Sequence, residues 1–156
     1  MLLVHSDILS YNGRRNMSTN VAAVSRLIGL KAKSLNELIG AIEQGLPFES
    51  IDRFQAMTGL SLSEITELLG IHPRTISRRR EKGKLDQSES ERLLRMSDLY
   101  RQANALFEGN EAGARSWLKQ PQRALRGQSP WEYAKTEVGA RRVEQLIGQL
   151  EHGVFT

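Results

Sequence analysis

The sequence predicts an all-α fold, and three observations carry that expectation. From residue 34 onward apolar residues recur at three- and four-residue steps, with no sustained alternation of period two. Residues able to cap helix N-termini stand ahead of most of these runs, and a glycine follows many of them. No stretch approaches the roughly 20 apolar residues of a membrane span.

Composition agrees. The 156 residues are 39% hydrophobic, 26% charged and only 6% aromatic, with no cysteine. Disulfides and the usual structural zinc sites are thereby excluded, and the scattered His5, His72 and His152 do not replace them. The opening Met-Leu-Leu-Val lacks a basic leader, so a cytoplasmic protein without membrane contact is expected.

Residues 1–33 show no sustained periodicity and read as a flexible N-terminal arm with one short helix near Val21 to Leu30; Met17 is an alternative start. A first amphipathic helix follows. Ser34 caps it, Glu37 completes a capping box, Leu35, Leu38, Ile39 and Ile42 form its stripe, and Gly45 stops it. Pro47 opens a second helix through Phe48, Ile51, Phe54 and Met57 to Gly59.

Ser61 and Glu64 form another capping box, with Leu62, Ile65, Leu68 and Leu69 as the buried face and Gly70 at the end. Pro73 then starts a helix reaching about Lys82, before Gly83. A long helix spans about Asp86 to Phe107, with Leu93, Leu94, Met96, Leu99, Tyr100, Ala103 and Leu106 inward and Arg92, Arg95 and Arg101 outward. Short helices over Glu111 to Leu118 and Trp131 to Thr136 precede a last one from Val138 to Leu150.

Charge is concentrated. Residues 74–84 carry six cations against Glu81, a net of +5 in a chain whose total is +4. A focused basic patch suits a polyanionic partner, although a solvated helix face is the ordinary reading of a charge run. The flanking pattern decides: two helices joined by a tight turn at Gly70, locked by Ile65, Leu69, Ile71 and Ile76, make a helix-turn-helix.

With Ile76 inward, Arg74, Thr75, Ser77, Arg78, Arg79 and Lys82 are candidates for the groove-facing side, with Arg74, Thr75 and Arg78 nearest the bases. Ser61, Ser63 and Lys84 suit phosphates. Arg79 stands where an apolar anchor is expected, so either its aliphatic stem packs or Arg80 turns outward. His72, beside a helix start, reads as a cap or phosphate contact.

From about Phe48 the chain resembles the Xre/MbcA/ParS antitoxin family. The matching stretches are Arg74-Thr-Ile-Ser-Arg-Arg79, Gly83-Lys-Leu85, Glu89-Ser-Glu-Arg-Leu93, Trp117-Leu118 with Pro121, Leu125-Arg-Gly127, Ser129-Pro130, Thr136 with Gly139, and Gly153-Val154. The resemblance implies an Xre-like helix-turn-helix domain at 34–108 followed by a small helical toxin-binding domain at 109–156. It further implies a cognate RES-domain toxin that degrades NAD, whose active site the antitoxin covers, and repression of its own operon by operator binding as a homodimer.

Candidate toxin-binding residues are Trp131, Tyr133, Arg141, Arg142, His152, Val154 and Phe155, chosen as aromatic and cationic anchors near a turn and along the tail. The plainer reading makes Trp117, Trp131, Val143, Leu146 and Ile147 a core, and for Trp117 it is preferred. Trp131-Glu-Tyr133 replaces the aliphatic residues expected after Pro130, which bears on which toxin is cognate. A stand-alone regulator whose C-terminal region dimerises or binds a ligand is the alternative. No metal cluster, phosphate loop or acid-base pair points to an enzyme, and no cofactor is expected.

Overall fold

A computed structural model describes residues 21–153. Helices follow one another along the chain: α1 (21–27), α2 (Leu35–Gln44), α3 (Glu49–Thr58), α4 (Leu62–Leu69), α5 (Pro73–Lys82), α6 (Gln87–Leu106) and α7 (Glu111–Lys119). A 3₁₀ turn at Arg123–Leu125, the short α8 (Pro130–Tyr133) and α9 (Glu137–Glu151) complete the described chain. The β pairing among the described residues is one isolated bridge between Pro47 and Lys84.

Local chemistry accounts for the boundaries. The Ser61–Glu64 capping box forms in full, as does a second one, Asp86–Glu89, at the start of α6. At α2 only half of the expected box forms: Ser34 accepts from the Glu37 amide, but the Glu37 carboxylate accepts from the Lys33 amide instead. Pro47 is not the opening residue of α3. It pairs with Lys84, and the helix begins at Glu49.

Two of the four residues expected on the buried stripe of α2 lie outside. Leu38 and Ile42 are buried, whereas Leu35 and Ile39 are exposed. Within the arm expected over 1–33 the short helix near Val21 forms as α1; Val24 and, in the turn after it, Ile28 are buried, and the Ile28 carbonyl accepts from the Ser50 hydroxyl at 2.8 Å.

One contiguous core runs from Ile28 through Phe54, Ile65, Leu69 and Leu93 to Val143 and Ile147. Its axis is α6, which packs against α2, α3, α4, α7 and α9 and buries Leu93, Met96, Leu99, Tyr100 and Ala103. Trp131 belongs to this core. It is 4% exposed and meets Phe54 edge-on at 5.9 Å, so it joins α8 to α3 and does not offer itself to a partner. Trp117 packs on the core beside Phe107, at 6.3 Å.

Polar contacts join the two halves as well. Arg115 of α7 donates to the Met57 carbonyl at the end of α3, while Lys119 and Lys135 pair with Glu64 and Glu67 of α4. Between α6 and α9, burial and then the Asp98 carboxylate raise the pKa of Glu144 above its ordinary 4.5, against the opposing pull of Gln102, Arg141 and Arg95.

Trp131→Ala is expected to cost about 3–5 kcal/mol and to lower the melting of the whole chain in one transition. A biphasic melt would show that α7–α9 unfold separately. Because the folded-state pKa of Glu144 is raised, its ionised form costs stability as pH rises past 4.5. Glu144→Gln should therefore raise the Tm near neutral pH and leave it almost unchanged in acid, and equal shifts at both pH values would contradict this.

Candidate functional site

The region from Ser61 to Leu85 is built around a tight reversal. Gly70 takes a left-handed conformation, φ 64°, which lets the chain leave α4 and re-enter a helix within three residues. Ile65, Leu69, Ile71 and Ile76 are buried where α4 and α5 cross. His72 caps α5 through Nδ1, which accepts from the Arg74 amide at 3.2 Å, and so has a structural use.

On the side of α5 away from Ile76 the helical period brings together Arg74, Ser77, Arg78 and Lys82, all exposed, with Glu81 among them. Thr75 is half-buried at the edge of this face, and its hydroxyl accepts from Arg78 at 3.4 Å. Lys84 is exposed just past Gly83. The arrangement presents arginine forks and hydroxyls on a projecting helix, the donor set that reads base edges and phosphates in a major groove.

A second feature lies at the start of α9. Gln128, Glu132, Tyr133, Thr136, Val138, Gly139 and Arg142 line an open cleft of about 410 Å³. Its floor depends on Gly139: a Cβ there would run into the Tyr133 carbonyl, so only glycine lets α8 and α9 approach this closely. Val138, an apolar side chain in the first turn of α9, is 80% exposed at the rim.

Residues 37–97 match the family model of the antitoxin Xre-like helix-turn-helix domain, and residues 102–153 that of the antitoxin Xre/MbcA/ParS C-terminal toxin-binding domain. The chain is 36% identical to Antitoxin Xre of Yersinia enterocolitica over 140 residues, covering 89% of this chain and 95% of the relative. It is 35% identical to Antitoxin Xre of Photorhabdus laumondii, covering 84% and 89% respectively. The chain belongs to the Xre antitoxin family. The Prs ADP-ribosylating antitoxin of a Sphingobium species is a more distant relative, 27% identical over 126 residues, covering 75% of this chain and 79% of that one.

In this Xre-family antitoxin the helix-turn-helix is α4–α5, and the residues expected to meet DNA divide into two groups. Arg74, Ser77, Arg78, Lys82 and Lys84 stand exposed on or beside the outer face of α5, with Thr75 at its edge. Ser63 is also exposed, while the Ser61 hydroxyl is already accepting from the Glu64 amide as a cap.

Arg79, expected on the groove-facing side, is not there. It turns inward, where its Nε donates to both Glu89 oxygens, at 2.8 and 3.1 Å, and its Nη2 to Asp86 at 3.1 Å. Those bonds raise its pKa further and leave its guanidinium committed within the chain. Arg80 is exposed, and it lies over the Phe48 ring at 5.2 Å.

Among the residues expected to meet the toxin, Tyr133 and Arg142 line the cleft together. Arg141 lies beside it and is paired with Glu137, His152 is exposed at the far end of α9, and Val154 and Phe155 lie outside the described residues. Trp131 is in the core, for the reason given above.

The sequence reading missed Val138, Gln128, Glu132 and Thr136 in the cleft, and Asp86, Glu89 and Arg92 behind α5. Asp86-x-x-Glu89 is a legible capping box, and a cation at position 79, where an apolar anchor is expected, needs a carboxylate, so that pair could have been sought. Nothing in the spacing singles out Val138.

Proposed function

We propose that this antitoxin binds its operator through the outer face of α5, represses its own operon, and neutralises a RES-type, NAD-degrading toxin through the α8–α9 cleft, whose occupation covers the toxin's active site. Its role is binding and not catalysis. The observation that carries the DNA reading is the group of Arg74, Ser77, Arg78 and Lys82 exposed together on a helix propped by an apolar partner. A homodimer would offer two such helices to half-sites about 34 Å apart, one helical turn of DNA.

The partner reading rests on the toxin-binding family of residues 102–153 and on the open cleft within them. Exposed Val138 supplies an apolar contact, and Tyr133 and Arg142 supply an aromatic ring and a cation beside it. A toxin segment with an apolar side chain next to a carboxylate would match this surface.

For DNA, Arg74→Ala with Arg78→Ala is expected to abolish the preference for the chain's own upstream region over unrelated duplex. Lys84→Ala should weaken both alike and reduce the salt slope by about one phosphate contact, ~0.9. Anisotropy titrations at several salt concentrations measure both, and an arginine double variant with intact selectivity would refute the assignment.

For the toxin, co-expression with the neighbouring gene scores growth and co-purification. Val138→Asp and Arg142→Glu should each release toxicity while leaving the helical content unchanged. Full neutralisation by the pair combined would remove the cleft from the interface. Deleting everything beyond Val138 is a poorer test, because Val143, Leu146 and Ile147 support α6.

A further inference from the structure

The carboxylate of Glu89 is only 7% exposed, yet it lies in the first turn of α6 immediately behind the helix read as entering DNA. A buried carboxylate is costly unless its oxygens are satisfied. Here they accept from the Asp86 amide at 2.9 Å and from Arg79 Nε, while Asp86 takes the remaining end of the same guanidinium. One turn further along, Arg92 Nη1 donates to the Leu69 carbonyl at 2.8 Å, at the very end of α4. Two side chains three residues apart on α6 thus hold α5 and α4 in turn.

Other contacts fix a different degree of freedom. The Phe48 amide donates to the Gly83 carbonyl and the Leu85 amide to the Leu46 carbonyl, both at 2.9 Å, which sets where α5 ends. Backbone bonds beyond the last turn constrain position but leave a ten-residue helix free to roll about its axis, resisted mainly by Ile76, its one buried side chain. Arg79 sits one turn on from Ile76, at the border of the inward face, and its planar fork is held at three points. A roll of α5 would break that geometry before it unpacked Ile76.

We propose that Glu89, through Arg79, is a positioning residue for DNA reading: the pair fixes the roll of α5 and hence which of Arg74, Thr75 and Arg78 meet base edges, and Arg79 itself does not touch the duplex. This rests on the DNA-binding reading of α5. It separates three placements that the run Arg78-Arg79-Arg80 conceals, since the first faces outward, the second holds the helix and the third packs on Phe48.

The two roles give opposite signs in one experiment. If Arg79 were a phosphate ligand restrained by Glu89, Glu89→Gln would release it and tighten binding. As a positioning residue, Glu89→Gln should weaken binding to the upstream region roughly ten- to hundredfold, the scale of one charge-assisted contact. Binding to random duplex of equal length and the salt slope should be unchanged.

Arg79→Lys keeps the cation but loses the fork, so it should match Glu89→Gln, and the double variant should be no worse than either. Toxin neutralisation by each full-length variant should be retained, which separates lost positioning from lost folding, and Arg79→Lys carries the test if Glu89→Gln does not fold. Unchanged or tighter operator binding by Glu89→Gln, or an Arg79→Gln salt slope reduced by about 0.9, overturns the proposal. A wild-type protein with no preference for its upstream region overturns the DNA-binding reading itself, and this inference with it.

Discussion

The structure depends on the burial of α6 along almost its whole inward length. A helix of 20 residues that sets Leu93, Met96, Leu99, Tyr100 and Ala103 in the interior must be covered on several sides, and no single neighbour does it. From the N-terminal part of the chain α2, α3 and α4 pack against α6, and from the C-terminal part α7 and α9 do so. Each half therefore supplies part of the apolar cover that the other needs, at about 25 cal/mol for every Å² removed from water. Two family domains are present in the sequence, yet the core beneath them is shared.

That shared core explains the placement of residues that would otherwise mislead. A tryptophan beside a turn is a common interface anchor, and Trp131 has that setting in the sequence. Its ring is instead needed against Phe54, because α8 has only four residues and must be held by something large. The same economy leaves Tyr133, Val138 and Arg142 to form the open cleft, with Gly139 allowing the approach of α8 to α9 that shapes it.

Much of the helical arrangement was legible because local chemistry and tertiary packing agree there. The capping box at Ser61, the glycine stops and the three-four periodicity of α4 and α6 each specify the element that forms. Less was legible where distant contacts decide. Leu35 and Ile39 satisfy the helical period but lie away from the core, and Val24 and Ile28 join it although no long pattern surrounds them. Among the basic residues, composition marks the patch but not the division of labour. Arg74 and Arg78 stand outside, and Arg79 is drawn in by Glu89, a partner ten residues away across a turn.

Covered from both parts of the chain, α6 should make the helix-turn-helix and the C-terminal helices one cooperative body. Native-state hydrogen exchange tests this most directly, since it reports the opening free energy of each helix separately. The prediction is that the amides of α4, the middle of α6 and α9 exchange through one shared opening, with equal sensitivity to denaturant. Exchange of α9 through a much lower barrier, while α4 and α6 stay protected, would contradict it.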